Sequence, residues 1–350
     1  MERKQKRNFL LKLAALLISA LFLVIFFNPV VFAKYESIKG IELKGGTIVL
    51  GKILEWNDYV TIETKDGKIS KYKDDDVVSF LKEGDERLSP GWNSVSNHLE
   101  NLLQLDFRYS YFDYKEDVPP PFKSTEKGWI PGGAISWTRT KPDSAYVRAF
   151  LGFDAGDVKY DGTALPSGTP ITDCDSYQFL FRAEANIGYT FAWGNFSVSP
   201  FTGYGYRYWR RGDSKVINSV MYVREDYDWM YIPVGLRVVA PVGEKLTLEP
   251  NFGARFMLNG RMKLRLTDFG YDNDPRVDLG NRIGYFIDIP IRYYLSRNWS
   301  LSLTPWYEYN SIGESNWEPA VMGGAIVGYI SEPSSRTHQY GFNIGAGYSF

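Results

Sequence analysis

The chain has 350 residues, room for one large domain beside a small one. Its 40 basic and 41 acidic side chains leave a formal net charge of -1, so no global field selects nucleic acid or another anionic partner. Only 44% of residues are hydrophobic, mean hydropathy is -0.28, and no long apolar run follows the amino terminus, which excludes a bundle of membrane helices. The 16% aromatic content and 33 glycines fit a chain that crosses a membrane by alternating strands with aromatic girdles.

Residues 1–33 read as a secretory signal. Arg3, Lys4, Lys6 and Arg7 precede an apolar stretch from Phe9 to Phe32, and Val31-Phe32-Ala33 offers a small-residue cleavage site. Lys12 interrupts the long apolar core, so an uncleaved anchor is the alternative. Cys174, the only cysteine, lies far from that site, so neither lipidation there nor an intrachain disulfide is expected.

Residues 34–82 read as a small antiparallel β-domain on the periplasmic side. Turn signals at Lys44-Gly45-Gly46, Asn57-Asp58 and Asp66-Gly67 separate short runs. Ile41, Leu43, Ile48, Ile53, Val60, Ile62, Ile69, Val77, Val78 and Phe80 supply one compact core. Asp74, Asp75 and Asp76 read as a turn whose charges discourage edge pairing. The two hairpins within GIELKGGTIVLGKILEWNDYVTIETKDGKISKYKDDDVVSF resemble the SH3-like or Sm-like modules found ahead of other envelope barrels. Residues 83–101, with Gly84, Pro90, Gly91, Asn93 and Asn97, read as a linker.

From residue 102 to 350 nearly every segment alternates apolar with polar or glycine, which predicts an all-β fold: an antiparallel transmembrane β-barrel of about ten strands. The last strand is clearest: Tyr340, Phe342, Ile344, Ala346, Tyr348 and Phe350 share one face, with Gly341, Asn343, Gly345, Gly347 and Ser349 on the other. Earlier strands follow from Leu105 to Tyr111, Val147 to Phe153 and Tyr177 to Tyr189, and a weak one from Gly133 to Arg139. Others run near Phe196 to Tyr208, Met230 to Ala240, Leu246 to Leu258, Ile283 to Leu295 and Trp299 to Tyr309. Pro200, Pro233, Pro250, Pro290 and Pro305 conflict with uninterrupted pairing and predict bulges or bends. Short turns near 141–143, 193–195, 242–244 and 296–298 alternate with long polar connections at 115–128, 157–175, 211–226, 259–280 and 311–336. Short turns belong to the periplasm and long loops to the outside.

The terminal YGFNIGAGYSF resembles the signal by which outer-membrane proteins are recognised by the barrel-assembly machinery, so Tyr340 to Phe350 are the expected insertion signal. The strand count resembles that of the omptin proteases, whose active site pairs an Asp-Asp with an Asp-His element. Only His98 and His338 occur here, and alternation puts His338 on the outer face, so the omptin histidine has no counterpart.

The expected lumen is charged and narrow. Arg108, Arg148, Arg182, Arg207, Arg237, Arg255, Arg282 and Arg292 face Asp106, Asp154, Glu184, Glu249, Asp288 and Glu308, giving a salt-bridged plug. No catalytic residue, metal site or cofactor is assigned. A histidine-dependent hydrolase would have to use His338, near Ser334 and Ser335, in no recognised motif. The loop with Asp268, Asp272, Asn273, Asp274 and Asp278 could bind Ca²⁺ or bridge lipopolysaccharide, though a solvated acidic loop is the plainer reading. Expected partners are outer-membrane lipid and lipopolysaccharide, the assembly machinery during insertion, and a periplasmic or peptidoglycan partner for the small domain, with no nucleic acid. The expected role is a non-enzymatic outer-membrane protein for structure, adhesion or surface recognition. A narrow channel for ions or small solutes and a surface hydrolase are the alternatives.

Overall fold

The computed structural model describes residues 38–44, 47–64, 67–82, 101–163, 167–193, 196–217, 220–243, 245–296 and 298–350. The expected signal at 1–33 and nearly all of the expected linker lie outside them, as does His98. The chain divides into two compact units, Met1–Leu88 and Ser89–Phe350.

In the first unit, β1 (Ile38–Leu43), β2 (Ile48–Leu50) and β6 (Val77–Lys82) form one antiparallel sheet in the order β2-β1-β6. A second sheet holds β3 (Lys52–Trp56), β4 (Tyr59–Glu63) and β5 (Ile69–Lys73). Ile41, Val60 and Ile62 are fully buried, with Leu43, Val49, Ile53, Tyr72, Val77 and Phe80 against them. Ile48, Ile69 and Val78, expected in this core, are exposed instead. Register explains two of them: Val49 pairs with Ile41 and shares its face while Ile48 points the other way, and the register shift between Glu42 and Leu43 leaves Val78 unpaired between Val77 and Ser79. Asp74–Asp76 form a 3-10 turn between β5 and β6.

The second unit is a closed barrel of ten antiparallel staves. Six are continuous through β7 (Leu102–Glu116), β8 (Ser124–Arg139), β9 (Ser144–Thr163), β10 (Pro170–Trp193), β11 (Phe196–Arg211) and β14 (Glu225–Pro241). Between β11 and β14 lies a small hairpin of β12 (Lys215–Ile217) and β13 (Val220–Tyr222). The seventh stave is β15 (Leu246–Leu248) with β16 (Asn251–Leu264). After β17 (Arg276–Asp278), which pairs with β16, the eighth is β18 (Ile283–Asp288) with β19 (Ile291–Tyr294). The ninth is β20 (Trp299–Ile312), followed by a hairpin of β21 (Glu318–Met322) and β22 (Ala325–Ile330). The tenth, β23 (Ser335–Ser349), pairs with β20 and with β7, so the first and last staves close the ring.

Alternation decides which side chains meet lipid. In β7, Leu103, Leu105 and Phe107 are exposed while Leu102, Gln104, Asp106 and Arg108 are buried. Aromatic pairs gather at two levels of the outer wall. Trp299 packs on Tyr348 at 5.1 Å near the short turns, and Tyr109 on Trp129 at 5.0 Å higher up.

The prolines behave in two ways. Pro250 and Pro290 sit where staves seven and eight break into two segments, as the expected bends require. Pro200, Pro233 and Pro305 pair with Leu236, Arg255 and Phe342 without a register shift, so no bulge forms there, but on the other side of each the ladder is interrupted for a residue or two. Two expected long connections are also shorter than read. Half of 115–128 continues as strand in β7 and β8, and most of 157–175 does so in β9 and β10, which reach 20 and 24 residues, about twice what a bilayer needs.

Candidate functional site

Inward side chains fill the barrel in layers. Nearest the short turns, Leu102, Val239 and Tyr294 pack as an apolar cluster. Above it, Arg237 and Arg292 clamp Glu249 at 2.8 and 2.7 Å, and Thr247 donates to the same carboxylate. Toward mid-barrel Glu308 takes Arg182, Arg207 (3.2 Å) and Arg255 (3.4 Å), while Arg255 also reaches Glu184 at 3.2 Å. Arg108 holds Asp154 through two hydrogen bonds of 3.0 and 3.3 Å. Breaking any such buried pair strands a charge, at a cost of about 3–5 kcal/mol.

A small polar cavity of ≈ 60 Å³ lies among these groups. Arg108, Arg148, Arg182, Arg237 and Arg292 line it against Asp106, Glu249, Asp288 and Glu308. Asp106 accepts from Gln104 at 2.6 Å and Asp288 from Asn251 at 3.0 Å. Arg148 and Arg182 both lie over the Phe150 ring, at 5.4 and 4.3 Å.

The outer half of the lumen is apolar. Phe112, Ile130, Leu180, Trp209, Tyr227, Trp229 and Met257 interlock across it, and Leu266, Val277, Leu279 and Ala320 of the loop segments cover them. Trp209 stacks on Tyr227 at 4.5 Å. Around this plug sits an ionic cluster absent from the sequence reading. Arg211 contacts Glu116 (2.6 Å), Glu126 (3.1 Å) and Glu225 (2.8 Å) and lies over Tyr114 at 4.5 Å. Glu126 also accepts from Ser176, Gln178 and Tyr222. Glu332, in the loop before β23, accepts from Tyr227 at 2.8 Å and Tyr114 at 3.3 Å. Burial, with Glu225 and Glu116 close by, pushes its carboxyl well above the ordinary range.

A closed ring with lipid-facing aromatics and a packed polar interior is the architecture of an outer-membrane barrel. The family model described as the autotransporter beta-domain matches residues 122–304, over half of the chain. The chain belongs to the autotransporter beta-domain family. Its place is the bacterial outer membrane. No curated protein matches it in sequence. Among solved structures, the outer membrane protease OmpT from Escherichia coli is similar at 12% identity, with a TM-score of 0.48 over 71% of this chain and 97% of that one. Ail of Yersinia pestis, crystallised with a heparin analogue, is 12% identical with a TM-score of 0.30, over 72% and 99%. OprG from Pseudomonas aeruginosa is 13% identical with a TM-score of 0.31, over 73% and 98%.

In this autotransporter beta-domain the remaining expected residues fall in distinct places. Arg282 is a correction: it lies exposed just ahead of β18, because the strand that would turn it inward begins only at Ile283. The β23 face with Tyr340, Phe342, Ile344, Ala346 and Tyr348 points outward, followed by exposed Phe350. His338 sits on that wall with its Nδ1 2.9 Å from the Tyr307 hydroxyl and its ring 5.1 Å from Tyr309, in the aromatic band. The acidic loop is a set of joints. Asp272 accepts from the Gly324 N–H, Asn273 bonds Pro319 and Val321, and Asp274 accepts from Thr267. Burial works against the Asp274 carboxylate, but the Thr267 hydrogen bonds and Lys263 hold its pKa below the usual value. Among the described residues no group of His, Cys, Asp or Glu is arranged to hold a metal ion.

Sequence reasoning missed the Arg211 cluster because Glu116, Glu126 and Arg211 lie in stretches assigned to loops. The signal was available: each keeps the inward parity of its strand.

Proposed function

We propose that the chain is a non-enzymatic outer-membrane anchor that presents extracellular hairpins for surface recognition or adhesion. The observation that carries the reading is the filling of the lumen at two levels, by Leu102, Val239 and Tyr294 below and the Trp209-centred plug above, with ion pairs between. A barrel packed this way serves as a support. A transport role, which the family's name would suggest, is disfavoured by that packing, and so is the narrow-channel alternative. The hydrolase alternative would rest on His338, whose neighbours are lipid-facing tyrosines.

The recognition element is the β21–β22 hairpin. Residues 319–331 carry no charge, and Trp317, Ile326, Val327 and Tyr329 are each more than half exposed. Exposed apolar side chains gathered on one uncharged outer hairpin mark an interaction site. The outward faces of the staves meet lipid and lipopolysaccharide, the β23 face from Tyr340 to Phe350 engages the assembly machinery during insertion, and the small domain binds a periplasmic or peptidoglycan partner. The test is adhesion of outer-membrane vesicles carrying the protein to an octyl-coated surface. Ile326→Asp with Val327→Asp should abolish the adhesion while the barrel still shifts on gels when boiled. Unchanged adhesion would contradict the reading.

A further inference from the structure

We propose that the polar cavity inside the barrel is a binding site for a small monoanion of halide size, held by Arg148, Arg182 and Trp306. Charge is the first argument. The five arginines on the cavity wall exceed the four carboxylates by one, and widening the count to the ion pairs just above, Asp154, Glu184, Arg207 and Arg255, adds equal numbers of each sign. A buried excess charge is costly unless something neutralises it. One monoanion does so, whereas a polyanion would overshoot.

The excess resides where arginines outnumber the carboxylate they share, two on Glu249 and three on Glu308, Arg182 among them. The Arg148 guanidinium lies over Phe150 with no ion pair or hydrogen bond to any described residue, and Asp106 and Asp288 of the same wall have no ion pair either. The pattern of unsatisfied groups is the second argument. The Arg182 Nε, the Trp306 indole N–H and the Thr304 hydroxyl are buried on the same wall without a hydrogen-bond partner. The buried Oδ1 of Asn343 is also unpartnered there, and turning that amide over would present a further N–H, whereas the Asn251 amide is fixed by its bond to Asp288. Arg148, Arg182 and Trp306 can only donate, so what they share is an acceptor.

The chain refolded from urea into detergent micelles in sodium bromide, then crystallised, provides the direct test. Anomalous scattering should place a bromide in the cavity within hydrogen-bonding distance of Arg148. Anomalous density confined to the protein surface, with only water in the cavity, would overturn the proposal. In solution, Tm should rise with chloride when gluconate keeps ionic strength fixed. That rise should vanish in Arg148→Gln and persist in Arg282→Gln, which alters an exposed arginine. A wild-type Tm that does not distinguish chloride from gluconate would equally overturn it, and the bromide experiment needs no variant to fold.

Discussion

Glu308 is shared by Arg182, Arg207 and Arg255 from three different strands. Glu308→Gln should therefore lower barrel stability by about 3–5 kcal/mol, because three buried cations lose their common counter-charge. The urea midpoint of the heat-modifiable band measures this, and an unchanged midpoint would mean that water already screens the site. Charge and parity made most lumen residues legible in the sequence, since a charged residue inside an alternating strand has only the interior to face. Arg282 was misassigned because parity says nothing about where a strand begins.

At the scale of elements, the loop carrying β21 and β22 is fastened to the barrel through Glu332, held by Tyr227 and Tyr114. Its folded pKa lies above the unfolded value near 4.5, so the stabilisation it gives is complete below about pH 4.5 and is lost as pH rises through the folded value. The hairpin should accordingly become easier to cleave by added protease from acidic toward alkaline pH. Glu332→Gln, which keeps the hydrogen-bonding shape without the charge, should flatten that dependence. Equal slopes in both proteins would contradict the assignment. None of this was legible beforehand, because the pairing of a loop glutamate with tyrosines more than a hundred residues away in sequence depends on closure of the ring. Strand lengths were underread for a related reason: β9 and β10 carry charged and polar residues such as Asp157, Lys159 and Asp175 outward above the lipid, where alternation of hydrophobicity fades while the ladder continues.

For the whole molecule, the ring and its closing strand follow from a period of two sustained to Phe350, which explains why the fold was readable without any relative. What fills the ring was less so. The sequence reading expected a plug of salt bridges, yet the outer half is sealed by Phe112, Trp209, Tyr227 and Trp229, inward aromatics that by composition alone look the same as lipid-facing ones. Only register separates the two sets, and with it the closed support from the open pore. The central claim is that this interior does not conduct. Purified barrel inserted in planar bilayers at neutral pH should remain electrically silent. Reproducible unitary current steps from folded, heat-modifiable protein would contradict it.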